Sequence, residues 1–154
     1  MMRVGLGWDI HRLAAGRPLM LAGVSIPSPV GAVGDSDADV VLHAVIDGVL
    51  GAMAWGDIGS WFPRAAVAAG QPSGPLLARV MDRLAAAGGT VVQVDVTVVL
   101  EAPRLADHRP ALIASLAQQL ACAVVSVKFK TQDGLGEIGR GEAVACWASV
   151  RVDA

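Results

Sequence analysis

The sequence predicts one α+β domain in which an open sheet is backed by helices. Three observations lead there. Thr90 to Glu101 alternates as a strand does, with Val92, Val94, Val96 and Val98 on one face and Gln93, Asp95 and Thr97 on the other. Three segments carry apolar residues at helical spacing, and they fall between strand-like runs without a regular βα repeat. Finally, the 154 residues are 54% hydrophobic and 17% charged, enough to build a core and too apolar for disorder. No repeat and no interdomain linker divides the chain, so residues 1–154 read as a single domain.

Met2 to His11 reads as the first strand, with two glycines in it. Pro18 to Pro27 holds two short apolar runs around Ala22-Gly23, the pattern of a small hairpin. A long helix is expected from near Ser36, with Ser36 as cap, Asp39 at the third position as in a capping box, and Asp37 favoured by the helix's positive end. Leu42, Ile46, Val49, Leu50 and Met53 form its apolar face, and Gly56 stops it. Asp57 to Phe62 reads as a short helical turn ended by Pro63, followed by an Ala/Gly-rich mobile loop to Gly74. Ser73 caps the second helix, which turns Leu76, Leu77, Val80, Met81 and Leu84 inward and ends at Gly88. After the Thr90–Glu101 strand, a third helix over about Asp107 to Ala121 places Leu112, Ile113, Leu116 and Leu120 inside. Val124 to Thr131 and Glu142 to Val152 are the last strands, joined by the glycine-rich Gly134–Gly141 connection.

Charge narrows the function. Formal net charge is -2 and no basic run occurs, so a surface for nucleic acid or an anionic membrane is not expected. No stretch reaches the roughly 18 apolar residues of a membrane span, since His43 and Asp47 break Val40–Trp55, the best candidate. Asp9 and His11 stand where a signal peptide would be apolar. Two cysteines, Cys122 and Cys146, make no disulfide framework. The expectation is a reduced cytoplasmic protein whose apolar surface partly meets another subunit.

Chemistry concentrates in a few places. Asp9 and His11 lie two apart on a strand and leave the same face. His43 lies on the first long helix with Asp39 four residues before it and Asp47 four after. A carboxylate and two imidazoles suit an open zinc site, the fourth position being left to a substrate oxygen. Either Asp39 or Asp47 is placed to hold the far nitrogen of His43. Taken singly, an Asp-x-His pair is an ordinary surface pair and a helical histidine an ordinary satisfied polar residue. Here, however, the three polar residues interrupt the most hydrophobic helix, and burying such groups without a partner costs several kcal/mol, so a cation or wet cleft is expected there. Asp57 in Gly56-Asp-Ile-Gly59 either caps the next turn or meets a ligand brought close by the glycines. The Gly134–Glu142 segment lacks the Gly-Lys-Ser/Thr of a P-loop, although Arg140 within it offers a planar fork to phosphate. Thr131 and Asp133 offer a hydroxyl and a hard carboxylate suited to magnesium. Trp8, Trp55, Trp61 and Trp147 are expected in the core or an interface.

These segments together resemble the 2-C-methyl-D-erythritol 2,4-cyclodiphosphate synthase family along nearly the whole chain. The resemblance rests on Gly5-Leu-Gly-Trp-Asp9-Ile-His11, Ser36-Asp-Ala-Asp39-Val-Val-Leu-His43-Ala-Val-Ile-Asp47, Leu50-Gly to Gly56-Asp57-Ile-Gly59, Ala102-Pro-Arg-Leu105 and Gly134-Leu-Gly-Glu-Ile-Gly-Arg140-Gly-Glu142. It implies a ferredoxin-like fold and a homotrimer with active sites between adjacent subunits. It implies zinc on Asp9, His11 and His43, and a second cation, Mg2+ or Mn2+, on Asp133 where the family has glutamate. Ala102, Pro103, Arg104, Leu105 and Ala106, with Thr131 and Gln132, would hold the cytidine diphosphate end. Asp57, Ile58 and Gly59 would meet the methylerythritol hydroxyls with Asp47 close by, while Asp35, Ser36 and Phe62 would complete the substrate site. Arg140 would line the trimer centre, a place where the family can hold an isoprenoid diphosphate. The implied activity is that of a lyase of non-mevalonate isoprenoid biosynthesis, an intramolecular phosphoryl transfer releasing CMP. Thr131 would support the transition state and position 35 the phosphates.

The chain departs from the family pattern at several of these positions. Asp35 stands where the family has histidine, and Phe62-Pro-Arg-Ala-Ala66 replaces Phe-Pro-x-Thr-Asp. Glu137 replaces a phenylalanine near the trimer axis, and Gln132 and Asp133 are milder changes. Two other readings follow: a diverged trimer that binds metal and a phosphorylated ligand with little or no turnover, and an iron(II) oxygenase, whose site also uses two histidines and one carboxylate.

Overall fold

The computed structural model describes all 154 residues, Met1–Ala154. Its elements in order are β1 (Met2–Ala15), β2 (Leu19–Leu21), β3 (Val24–Ile26), β4 (Val30–Ala32), α1 (Val40–Ala52), α2 (Ile58–Trp61), α3 (Gly74–Ala86), β5 (Thr90–Val99), α4 (Arg109–Leu120), β6 (Val125–Lys130), α5 (Gly136–Gly139) and β7 (Ala143–Asp153). Single 3-10 turns occupy Arg64–Ala66 and Ala106–His108. The main sheet runs β4-β1-β7-β5-β6, with β7 antiparallel to both β1 and β5. Strand β6 joins β5 in parallel, which requires a crossover, and α4 supplies it. The predicted mixed, open sheet backed by helices is therefore what forms. β2 and β3 make the predicted hairpin around Ala22 and Gly23, both at positive φ, the backbone a two-residue turn needs.

Glycine decides how α1 meets the sheet. A Cβ on Gly5 would fall on the carbonyl of Gly48, and one on Gly7 on the carbonyl of Ala44. One on Gly48 would lie 2.6 Å from Cγ2 of Val150. Helix and strand thus meet backbone to backbone, and Val41, Leu42, Val45, Ile46, Val49 and Leu50 are fully buried around that contact. Leu77, Val80 and Leu84 of α3 and Leu112 and Leu116 of α4 extend the core along the same face. Because side chains alternate along β1, the two positions after Gly5 and Gly7 on the helix-facing side are Asp9 and His11.

Several boundaries differ from the sequence expectation, each for a local reason. Helix α1 starts at Val40, not near Ser36, because Ala38 takes a left-handed φ of 55° and Asp39 is the cap. The Asp39 side chain accepts from the amides of Val41 and Leu42, and also from those of Ala22 and Gly23. Ser36 instead accepts from the Ala38 amide in the preceding turn, so no Ser36–Asp39 capping box exists. The capping box occurs at α2, between Asp57 and Ser60. Ser73 precedes α3, but its hydroxyl does not cap it. In β5 a bulge between Val91 and Gln93 reverses the alternation, so Val91 rather than Val92 is buried. The Gly134–Gly141 connection contains α5, whose Ile138 is buried with Val99, Ala143 and Ala145.

On its outer face the sheet is covered only at one end, where Ile138 of α5 packs on Val99, Ala143 and Ala145, and the remainder has no helix on it. Met2, Val4, Leu6 and Trp8 of β1 project there with Trp147 of β7, and Leu6 is 71% exposed. Trp8 and Trp147 lie ring to ring at 6.1 Å, while Trp55 and Trp61 stack at 6.0 Å beside the core. No helix is long and apolar enough to cross a membrane.

Candidate active site

Asp9 and His11 of β1 and His43 of α1 converge. Asp9 Oδ2 lies 2.8 Å from His11 Nε2 and 3.0 Å from His43 Nδ1, and the two ring nitrogens are 3.1 Å apart. The protons of both imidazoles are committed elsewhere. His11 Nδ1 donates to the carbonyl of Val33 at 3.0 Å, which can only accept. His43 Nε2 donates to Ser73 Oγ at 3.0 Å, because the Ser73 hydroxyl itself donates to the Asp37 carboxylate. Ser36 Oγ lies 3.2 Å from the same nitrogen. With those tautomers, and with a metal ion in place of the protons that otherwise join the rings to Asp9, three lone-pair atoms face one point. The residues fit a divalent metal ion.

The electrostatics agree. Burial opposes ionisation of Asp9, but hydrogen bonds and charge from His11 and His43 outweigh it and hold the carboxyl at about 2. Burial likewise disfavours a charged His11, yet Asp9 raises its pKa above the usual imidazole value. The site attracts positive charge.

Neither Asp39 nor Asp47 holds the far nitrogen of His43, contrary to the sequence expectation. Asp39 is fully buried and its oxygens are taken by backbone amides of the hairpin and of α1. Asp47 accepts from the Ile58 amide at 2.7 Å and so fixes the Gly56–Gly59 turn. Their place is filled by Ser73 and Asp37. The Asp37 carboxylate also takes the Ser73 amide at 3.1 Å, locking both groups behind His43. Sequence reasoning had assigned both residues to helix capping, and no spacing pattern joins them to His43.

A cavity of about 220 Å³ opens beside the triad. His11 and His43 line it with Asp35, Ser36, Ile58, Gly59 and Phe62, all expected at the substrate site, and with Arg64, which was not. Asp57 is not in its wall: its side chain caps α2 through the Ser60 amide at 2.8 Å. A second cavity of similar size is lined by Pro103, Arg104, Leu105, Ala106 and Thr131, together with Arg109 and Lys130. Ala102 precedes it through a cis peptide bond to Pro103, and the Gln132 amide donates to Glu101 at 3.1 Å. Asp133 accepts from the Thr131 hydroxyl at 3.3 Å, leaving most of its oxygen lone pairs free for a hard cation. Arg140 lines neither cavity and pairs with Glu142 at 3.0 and 3.2 Å.

The two cavities open at the same end of the sheet, because β1, β5 and β6 run in one direction. Three strand spacings separate β1 from β6, about 14 Å, so a single chain does not bring Thr131 to the triad.

A mixed open sheet with an Asp–His–His triad at the strand–helix junction and a polar cavity beside it defines an α+β protein whose site is consistent with a divalent metal, and excludes the double-stranded barrel of the iron oxygenases. The chain belongs to the YgbB family, whose model matches residues 2–153. It is 48% identical over 146 residues to the 2-C-methyl-D-erythritol 2,4-cyclodiphosphate synthase of Bordetella avium (strain 197N), covering 93% of this chain and 90% of that one. The synthase of Salinibacter ruber (strain DSM 13855 / M31) is 46% identical over 154 residues, covering 98% of each chain. Among solved structures, one 2C-methyl-D-erythritol-2,4-cyclodiphosphate synthase superposes with a TM-score of 0.91 at 39% identity, covering 98% of this chain and 100% of that one. A form of that enzyme with CDP bound gives 0.88 at 38% identity, with the same coverage. The family resemblance carried by the motifs is borne out.

Proposed function

We propose that the chain converts 4-diphosphocytidyl-2-C-methyl-D-erythritol 2-phosphate to 2-C-methyl-D-erythritol 2,4-cyclodiphosphate and CMP, a cytoplasmic step of non-mevalonate isoprenoid biosynthesis. The observation that carries this reading is the convergence of the Asp9, His11 and His43 lone pairs beside an open cavity, in a chain 48% identical to a named synthase. An oxygen of the 2-phosphate attacks the β-phosphorus, a new P–O bond forms, and the bond from that phosphorus to the bridging oxygen breaks as CMP leaves. Such a reaction asks for positioning and charge neutralisation more than for covalent help.

Zinc on Asp9, His11 and His43, with Mg2+ or Mn2+ on Asp133, would supply positive charge to the phosphates of an otherwise repelled anion. The chain's own groups do the rest. The triad cavity takes the methylerythritol end, with the Gly56–Gly59 turn held at its edge by Asp47. The second cavity takes the cytidine diphosphate end, where Arg104, Arg109 and Lys130 offer charge and Thr131 a hydroxyl donor beside the leaving group. The CDP-bound relative supports a cytidine nucleotide there. Because the triad strand β1 and the second cavity's strand β6 stand three strand spacings apart, about 14 Å, the site is completed by an adjacent subunit of a homotrimer, assembled through the apolar outer face of the sheet.

Asp35 on the cavity wall favours a second reading, a phosphate-ligand-binding homologue without turnover. Incubation of zinc- and magnesium-loaded protein with the cytidylylated substrate separates the two. The synthase reading predicts stoichiometric CMP and cyclic diphosphate; bound substrate without CMP would establish the second.

A further inference from the structure

The wall of the triad cavity carries one fixed cation and one acid, and they are paired. Arg64 Nε lies 2.8 Å from Asp35 Oδ2. A carboxylate alone at this place would repel a phosphate. The pairing changes that, because Asp35 meets the guanidinium through Nε alone and the two terminal nitrogens of Arg64 make no hydrogen bond in the structure. That exposed fork is the geometry that receives two oxygens of a phosphate.

The pair is also built into the backbone. The loop carrying Arg64 is tied to the segment carrying Asp35 by the Gly70 amide on the Asp35 carbonyl at 2.8 Å and the Asp37 amide on the Gln71 carbonyl at 2.9 Å. Phe62, buried two residues before Arg64, anchors the other end, and Ser36 and Gln71 form a parallel bridge. Arg64 is 90% exposed, so its fork is free to meet a ligand entering the cavity.

We propose that Arg64 binds the phosphate carried by the methylerythritol end of the substrate, and that Asp35 is a positioning residue that holds Arg64 over the triad cavity. The positive charge that the family pattern places at position 35 is here delivered from position 64. This rests on the substrate assigned above. With Arg64 present, Asp35→His removes the carboxylate that holds it.

The test compares Arg64→Ala, Arg64→Lys and Asp35→Asn with the parent protein, zinc-loaded and with magnesium withheld, by equilibrium binding of the cytidylylated 2-phosphate substrate and of CDP. CMP release with magnesium is measured separately. Loss of a charged phosphate contact predicts roughly ten- to hundredfold weaker substrate binding for Arg64→Ala, with CDP affinity unchanged. Asp35→Asn weakens substrate binding in the same direction, and Arg64→Lys recovers only part of it. Unchanged substrate affinity in Arg64→Ala, or tighter binding in Asp35→Asn as simple relief of repulsion would give, overturns the proposal. Parent protein that binds substrate yet releases no CMP overturns only the catalytic reading; parent protein that binds no substrate overturns both.

Discussion

The hydroxyl of Ser73 bridges His43 and Asp37: it accepts from His43 Nε2 at 3.0 Å and donates to the Asp37 carboxylate. Ser73 is fully buried and sits 30 residues from His43 in sequence. Its hydrogen bonds set which nitrogen of His43 faces the candidate metal, so Asp37 and Ser73 act on the ion without touching it. Outer groups of this kind are worth roughly ten- to a hundredfold in metal affinity. Asp37→Asn and Ser73→Ala are therefore expected to weaken zinc binding by that order, read by competition with a chromophoric chelator, while the circular dichroism spectrum is retained. Equal affinity in all three proteins would dismiss the relay.

Removing a ligand has a larger effect. Asp9→Asn leaves the shape of the site but takes away the triad's one carboxylate, and His43→Ala removes the helix-borne donor. Both are expected to abolish stoichiometric zinc uptake and CMP release together. Zinc uptake retained by Asp9→Asn in elemental analysis would place the ion elsewhere.

The close approach of α1 to β1 gives a stability prediction. A methyl group at Gly7 meets the Ala44 carbonyl, which belongs to the helix backbone and has no rotamer to escape into. Gly7→Ala should cost about 3 kcal/mol or more, visible as a large fall in Tm or as failure to fold. Gly70→Ala also strains a positive φ but meets no neighbour, and serves as the milder control.

Asp47 carries a pH signature. Burial raises its pKa, against the pull of the Ile58 amide, so folding favours its protonated form. The ionised group then costs stability that is absent below the unfolded value of 3.8 and grows as pH rises through the raised folded pKa. In metal-free protein, Asp47→Asn keeps an acceptor oxygen for Ile58 and is expected to raise Tm modestly at pH 7. The gain should vanish near pH 3; a gain independent of pH would assign it to packing.

The outer sheet face predicts assembly. Leu6 and Trp8, 71% and 49% exposed, belong to an apolar stripe with nothing covering it within the chain. Leu6→Glu should break the proposed trimer into monomers in sedimentation and remove activity, although Leu6 lies in neither cavity.

What the sequence revealed was set by range. The alternation of Thr90–Glu101 and the apolar face of α1 are local periodicities, and Asp9 with His11 share a face by simple parity, so these were legible. The reversal at Val91–Gln93 was not, because a bulge arises from pairing with β7 rather than from the strand's own residues. Ser36 and Asp39 carried a local capping pattern that lost to tertiary demand, since Asp39 also had to satisfy the amides of Ala22 and Gly23. Ser73, Asp37 and Arg64 were missed as site residues because folding alone brings them to the cavity.

The central claim is that the triad of one subunit works with Thr131 of another. Mixing two variants after subunit exchange tests it most directly, one carrying His43→Ala and the other Thr131→Ala. Each variant alone should be inactive, while an equal mixture should recover about a quarter of the parent rate, the fraction of interfaces with both intact halves. No recovery at any mixing ratio, or full activity in the Thr131 variant alone, would contradict the account.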